Sequence, residues 1–179
     1  GLVFVRKDFE EPVRVKVCPD NIVQRDRRSA LQSGPAVIET PEHCLAAIYA
    51  LDIDNLIIEM EGAELPGFDG SSDEYFRTLQ KCDIQMQDAP QRPIRITESI
   101  CITEGDKSIY ALPHQGNGLS LTYDMDYTQH TGVGRQIYSC DLSETTYAQN
   151  LARARTFVLE AEARQMQAAG LGTHLGPKD

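Results

Sequence analysis

Thr40-Pro41-Glu42-His43-Cys44-Leu45-Ala46-Ala47 is the stretch on which the reading of this chain turns. Thr40 is a good N-cap residue, and Pro41 suits the first helical position, where a missing N–H costs nothing. A helix over residues 41–51 is therefore expected. It is apolar nearly all round, as a helix buried between two layers is. Glu42 and His43 fall on its first turn, where the positive end of the helix dipole favours a carboxylate and disfavours imidazolium. A carboxylate beside a neutral imidazole can serve a metal-bound water, one group binding the ion and the other taking the proton. Two solvated residues at a helix end would look the same, and the dipeptide alone does not separate these readings.

Working outward, residues 2–6 and 13–18 alternate and are rich in β-branched side chains, so they read as paired strands. Residues 24–34 are polar and end in a turn signal, Ser33-Gly34-Pro35. Residues 55–60 form a mostly apolar strand, expected to be buried. A Pro66-Gly67 turn leads to Asp69-Gly70, and Ser71 with Glu74 offers a capping box for a second helix reaching about Cys82. Residues 83–93 are polar, hold Pro90 and Pro93 and lack periodicity. Strands are expected at 94–103, 108–112, 119–127 and 136–141, then helices at 144–153 and 155–167, with Gly170, Gly172 and Gly176 breaking the last. Strands first and helices after, in each half, give an α+β chain. The expected division is a first domain over 1–84, a linker over 85–93 and a second domain over 94–179.

The 41% hydrophobic and 25% charged content is that of an ordinary folded protein, and no apolar run approaches the roughly 20 residues of a membrane span. A net charge of −10 argues against binding nucleic acid through bulk electrostatics. An anionic ligand would need a local basic patch, for which Arg27-Arg28 and Arg153 with Arg155 are the candidates. Five scattered cysteines without a C-x-x-C pair argue against a disulfide framework or a zinc ribbon and suit a reduced, cytoplasmic protein. No obligate protein partner is expected. A chain that opens inside a strand without an initiator Met reads as cut from a longer one.

Three separated motifs carry a family resemblance. The helix start at Thr40 is followed by Ile53-Asp54-Asn55-Leu56-Ile57-Ile58-Glu59 and by Glu64-Leu65-Pro66-Gly67-Phe68-Asp69-Gly70-Ser71. Arg153-Ala154-Arg155-Thr156-Phe157 comes last. In this order they resemble the zinc-dependent UDP-3-O-acyl-N-acetylglucosamine deacetylases, over residues 1 to about 175. The resemblance implies two two-layer α/β sandwiches of similar fold, packed helix to helix with the active site between, the second incomplete here. It implies Zn²⁺ as cofactor, His43 as a metal ligand and Glu42 as general base. The helix cannot supply a second ligand, because Ala46 and Ala47 stand at i+3 and i+4. The other ligands and a further His would belong to a family segment after Asp179, so the resemblance makes this an interior fragment, inactive by itself and also lacking an N-terminal strand.

The resemblance further implies that Thr156 hydrogen-bonds the oxyanion, although a threonine there could equally cap the helix that follows. Phe157, Leu159, Ala163 and Met166 match the segment lining an acyl-chain passage, and Tyr127 matches an aromatic set against the sugar. Asp69 before Gly70 reads as turn support. The expected activity is hydrolysis of the N-acetyl group of a UDP-linked 3-O-acylated aminosugar, the committed step of lipid A and so of lipopolysaccharide synthesis. The alternatives are a non-catalytic acyl- or nucleotide-binding relative and a zinc amidase acting on another amide, since fold by itself does not separate them.

Overall fold

Strand β1 (Leu2–Arg6) is the middle of the first sheet, and two partners of opposite sense flank it in a computed structural model that describes residues 1–130 and 132–168. Strand β2 (Val13–Lys16) pairs antiparallel with it, Phe4 opposite Val15. Strand β5 (Leu56–Met60) pairs parallel, Phe4 opposite Ile58. Between β2 and β5 the chain makes a hairpin of β3 (Ala30–Ser33) and β4 (Ala36–Glu39), then helix α1 (Glu42–Ala50). Alternation of side chains along each strand sends one set inward. Phe4, Val15, Leu31, Ala36, Ile38, Cys44, Ile48 and Leu65 thus meet in one buried cluster that joins sheet, hairpin and helix. Burial pushes the Cys44 thiol up to about 11, which keeps it protonated and inert.

Arg6 locks the end of β1. Its guanidinium donates from Nε and Nη2 to both carboxylate oxygens of Asp8, at 2.8 and 2.6 Å, and from Nη1 to the Val37 carbonyl on β4 at 2.6 Å. The cation also lies 5.1 Å above the Phe9 ring. A buried charge persists only when paired in this way, and the pair ties the hairpin to the sheet.

Helix α2 (Asp73–Gln80) packs against α1, with Phe76 buried. No helix or strand lies between Gln80 and Ile100. Beyond it, β6 (Ile100–Glu104) and β7 (Lys107–Ala111) form a hairpin through a two-residue turn in which Gly105 takes φ 60°, as a glycine-first hairpin turn requires. Strands β8 (Ser120–Tyr127) and β9 (Gly134–Asp141) form a second hairpin in a separate sheet. Helix α3 (Glu144–Thr146) runs into a π-helical turn, Tyr147–Leu151, and α4 (Glu160–Ala168) follows. Among the described residues, the contacts group Gly1–Asp83 with the chain from Tyr147 to Ala168 as one compact unit, and Ile84–Thr146 as another.

The α+β class expected from the sequence is observed, and β1 and β2 pair as expected. Other elements differ for identifiable reasons. The polar stretch 24–34 hides β3, because a hairpin closed by Gly34 (φ 55°) and Pro35 needs only Ala30 and Leu31 inside. Strand β5 alternates and is not buried throughout: Leu56, Ile58 and Met60 pack against the core, and Ile57 on the opposite face is 56% exposed. Helix α1 buries one face, Cys44, Ala47, Ile48 and Ala50, and leaves Tyr49 out. The last helix begins at Glu160 and not at 155, with Glu162 accepting a hydrogen bond from the Leu159 N–H at 3.2 Å to close its first turn. The glycines expected to end it lie outside the described residues. All five cysteines are unpaired, and among the described residues no helix is long and apolar enough to cross a membrane.

Two measurements test this core. Phe4→Ala should destabilise the first unit by about 3–5 kcal/mol, while Ile57→Ala on the open face of β5 should stay within about 0.5 kcal/mol, by denaturant unfolding followed by circular dichroism. The hydrogen bonds from Arg6 hold the Asp8 carboxyl at about 2. That lies below its unfolded value, so the pair's contribution is complete above pH about 4 and fades as pH falls toward 2. A carboxyl NMR titration of Asp8 should therefore show a midpoint near the lower limit, and Arg6→Met should return it to the ordinary carboxylate range.

Candidate functional site

The chain reaches Glu42 around a strained corner. Strand β4 ends at Glu39, and Thr40 takes φ 58°, a left-handed conformation that a β-branched residue adopts only when its surroundings hold it there. The surroundings do so on every side. The Thr40 N–H donates to the Ser29 carbonyl at 3.0 Å, the Glu39 N–H to the Ala63 carbonyl at 2.8 Å, and the Leu65 N–H to the Glu39 carbonyl at 3.2 Å. The Thr40 hydroxyl donates to Glu64 Oε1 at 3.0 Å. Thr40 is therefore not the N-cap expected from the sequence. Pro41 occupies the cap position without a side-chain hydrogen bond, and the helix opens at Glu42. A residue before proline is disfavoured in the helical region, which keeps Thr40 out of the helix, while the hydrogen bonds around it set its left-handed turn.

Glu42 and His43 stand side by side on this first turn, both half-buried. The Ser29 N–H donates to Glu42 Oε2 at 3.3 Å. Ser29 is thus fixed twice to the helix start, through its carbonyl to Thr40 and through its N–H to Glu42. The arginines before it are all engaged. Arg25 Nε lies 3.0 Å from Glu39 Oε1 and Arg28 Nε 3.2 Å from Glu39 Oε2, the second an ion pair without hydrogen-bond geometry. Arg28 also reaches Glu64 at 3.5 Å. Arg27, itself at φ 63°, turns to α4, donating to Glu162 Oε1 at 2.9 Å and lying 3.6 Å from Met166 Sδ. The basic patch suggested by Arg27-Arg28 is therefore a set of internal pairs.

A second cluster gathers motifs far apart in sequence. Asp69 Oδ1 accepts from the Ser71 hydroxyl at 2.6 Å and from the Ser71 N–H at 3.0 Å. These bonds, with the Arg155 charge behind them, hold the Asp69 carboxyl below the usual carboxylate range. Asp69 supports the turn, as its place before Gly70 implies. Ser72, not Ser71, stands at the N-cap of α2, and its hydroxyl is spent elsewhere: it shares a 2.5 Å hydrogen bond with the Tyr147 hydroxyl and donates to the Ala152 carbonyl at 3.2 Å. The Ser72 N–H donates to the same carbonyl at 3.1 Å. The Tyr147 ring packs tilted against that of Phe76, 5.2 Å away, and burial pushes its phenol up. The π-helical turn carrying Tyr147 is thus pinned to α2.

Nine residues after Tyr147, the Thr156 N–H donates to the Gly70 carbonyl at 3.3 Å. Gly70 has φ 83°, and a Cβ built there would sit 3.9 Å from Thr156 Oγ1. Thr156 lies four residues before α4, so it is not that helix's N-cap. Arg153 reaches Asp73 Oδ2 at 3.5 Å. The structure brings Thr156 to the Asp69-Gly70-Ser71 turn, a juxtaposition that residue spacing does not announce.

Leu159, Glu162, Ala163 and Met166 share the half-buried side of α4, and Phe157, in the extended run before it, is 52% exposed. Tyr127 ends β8 in the other unit, its ring 5.7 Å from that of His130. Among the described residues no group of three or more His, Cys, Asp or Glu side chains could hold a metal ion. His43 offers one nitrogen donor, so the described residues do not by themselves make a zinc site. His174 lies outside them.

The comparisons with known proteins bear on this geometry. The family model described as LpxC, UDP-3-O-acyl N-acetylglycosamine deacetylase, matches residues 1–177. A UDP-3-O-acyl-N-acetylglucosamine deacetylase of Bdellovibrio bacteriovorus is 35% identical over 172 residues, 96% of this chain and 56% of the relative. Proteins of the same name from Thioalkalivibrio sulfidiphilus and Marinobacter nauticus are 36% and 32% identical, over 88% and 96% of this chain and 51% and 56% of their own lengths. The chain spans about half the length of these curated relatives. A family match running from the first strand through α4, over both the Glu42-His43 corner and the Thr156 turn, leaves one conclusion: this chain belongs to the UDP-3-O-acyl N-acetylglycosamine deacetylase family.

Proposed function

We propose that the whole protein of which this chain is part hydrolyses the N-acetyl group of a UDP-linked 3-O-acyl-N-acetylglucosamine, the committed step of lipid A synthesis. Support comes first from the family match over residues 1–177. In this reading the domains are those expected from sequence, 1–84 and 94–179 joined by a linker over 85–93, with the described residues from Tyr147 grouped by contacts with the first. The protein works in the cytoplasm, in line with its unpaired cysteines.

Zn²⁺ supplies polarisation of the amide carbonyl and an acidic water when bound. Of this chain's described residues, His43 would be one donor to it. Glu42 takes the proton of the attacking water. The Ser29 N–H, by donating to one carboxylate oxygen, leaves the other for that proton and fixes the rotamer. Thr156 donates its hydroxyl to the oxyanion, held in place by the Gly70 carbonyl. Phe157, Leu159, Ala163 and Met166 offer an apolar strip for the acyl chain, and Tyr127 a ring for the sugar.

In the whole protein, Glu42→Ala should retain zinc and lose kcat by roughly 10²-fold or more, whereas His43→Ala should lower metal content. Metal analysis beside an acetate-release assay checks both, and an empty site in Glu42→Ala or unaltered turnover would overturn the division of roles. Ala163→Trp should raise KM for long-acyl substrates and affect a short-acyl analogue little, because only the long chain needs the strip. Equal losses for both substrates would point to disrupted packing instead.

A further inference from the structure

Three consecutive residues, Arg27, Arg28 and Ser29, join two parts of the proposed site that are more than a hundred positions apart in sequence. At one end the Ser29 N–H holds Glu42 Oε2 at 3.3 Å, and the Ser29 carbonyl accepts from the Thr40 N–H at 3.0 Å. At the other end Arg27 Nη2 holds Glu162 Oε1 at 2.9 Å and Nη1 lies 3.6 Å from Met166 Sδ. Between them Arg28 is anchored on Glu39 and Glu64. The linkage is short and stiff, since Arg27 sits at φ 63° and its neighbour is ion-paired.

We infer that Arg27 is a positioning residue that couples occupation of the α4 face to the Glu42 carboxylate, so that the length of the substrate's acyl chain governs kcat. The inference rests on the deacetylase reading and deepens it. Leu159, Ala163 and Met166 share the half-buried side of α4 with Glu162, and Arg27 grips that side at Glu162 and Met166. An acyl chain lying along the side runs against Met166 and the apolar stem of Arg27. A long chain packs that stem and fixes the loop; a short one does not reach it. Two residues on, the same loop sets the Ser29 N–H and with it the proton-accepting oxygen of Glu42. Misplacing a general base by a fraction of an ångström lowers turnover without weakening binding.

The Arg27–Glu162 pair is exposed at 56% and 36% of its side chains. Such pairs contribute little to stability, so its loss reads out in position and not in unfolding. Arg27→Asn removes the grip while tolerating the left-handed backbone, and Glu162→Gln removes the charge from the other side. Both variants of the whole protein are assayed for acetate release from a long-acyl UDP-aminosugar and a short-acyl analogue. The expected result is a fall in the long-to-short ratio of kcat on the order of tenfold, similar in the two single variants and no larger in the double, with the melting temperature little moved. A ratio that stays put, or kcat and KM that worsen together for both substrates, overturns the coupling while leaving the deacetylase reading in place. Absence of acetate release by the unsubstituted whole protein overturns both.

Discussion

The left-handed turn at Thr40 is the constraint on which the site depends. A β-branched residue at φ 58° is strained by roughly 1–3 kcal/mol, and it persists because four neighbouring residues agree on it. Ser29 accepts its N–H, Glu64 its hydroxyl, and Ala63 and Leu65 bracket Glu39 on the preceding position. Arg25 and Arg28 neutralise Glu39 beneath the corner. The corner converts the end of a hairpin strand directly into the first turn of α1. That abrupt change leaves Glu42 and His43 half-buried at the helix mouth, where backbone N–H groups face outward.

Much of the fold was legible because local rules and burial agree. Leu2–Arg6 alternates cleanly and pairs as expected, and Glu42–Ala50 is helical within a residue of the expected span. The errors fall where tertiary contacts override local chemistry. Thr40-Pro41 has the composition of a helix cap, but Glu64 claims the threonine hydroxyl. Ser71 and Glu74 have the spacing of a capping box, but Asp69 takes the Ser71 hydroxyl and Tyr147 takes that of Ser72. Residues 155–167 are largely good helix formers, but Thr156, Phe157 and Val158 are not, and the hydrogen bond from Thr156 to Gly70 holds 155–159 outside the helix. In the candidate site, the place of Glu42 and His43 on a first helical turn was readable locally, whereas a chemical role for them came only from the family resemblance. The partnership of Thr156 with Gly70, and of Ser29 with Glu42, depends on contacts that no local pattern encodes.

Charge has a similar lesson. The chain carries a net −10, yet its arginines are not spread to offset that evenly. Arg25, Arg27 and Arg28 converge on Glu39, Glu64 and Glu162, and Arg153 approaches Asp73. A run of arginines in an acidic chain suggests an anion site when read as a string. Folded, it serves as the mortar between the hairpin, the helix mouth and the distant α4.

The parallel pairing of β1 with β5 sets an order of events during synthesis. Val3 and Ile57 are partners across more than fifty residues, whereas β3–β4, β6–β7 and β8–β9 close through neighbouring turns. Long-range pairing is slow because the loop must close before any contact rewards it. Until β5 has been made, β1 has only β2 beside it, and a two-stranded ribbon is barely stable in water. At ordinary elongation rates the stretch from β1 to β5 takes about 3–10 s to emerge. Throughout that interval Phe4 and Val5 lack their final cover, and the apolar face of the strand stands open to water.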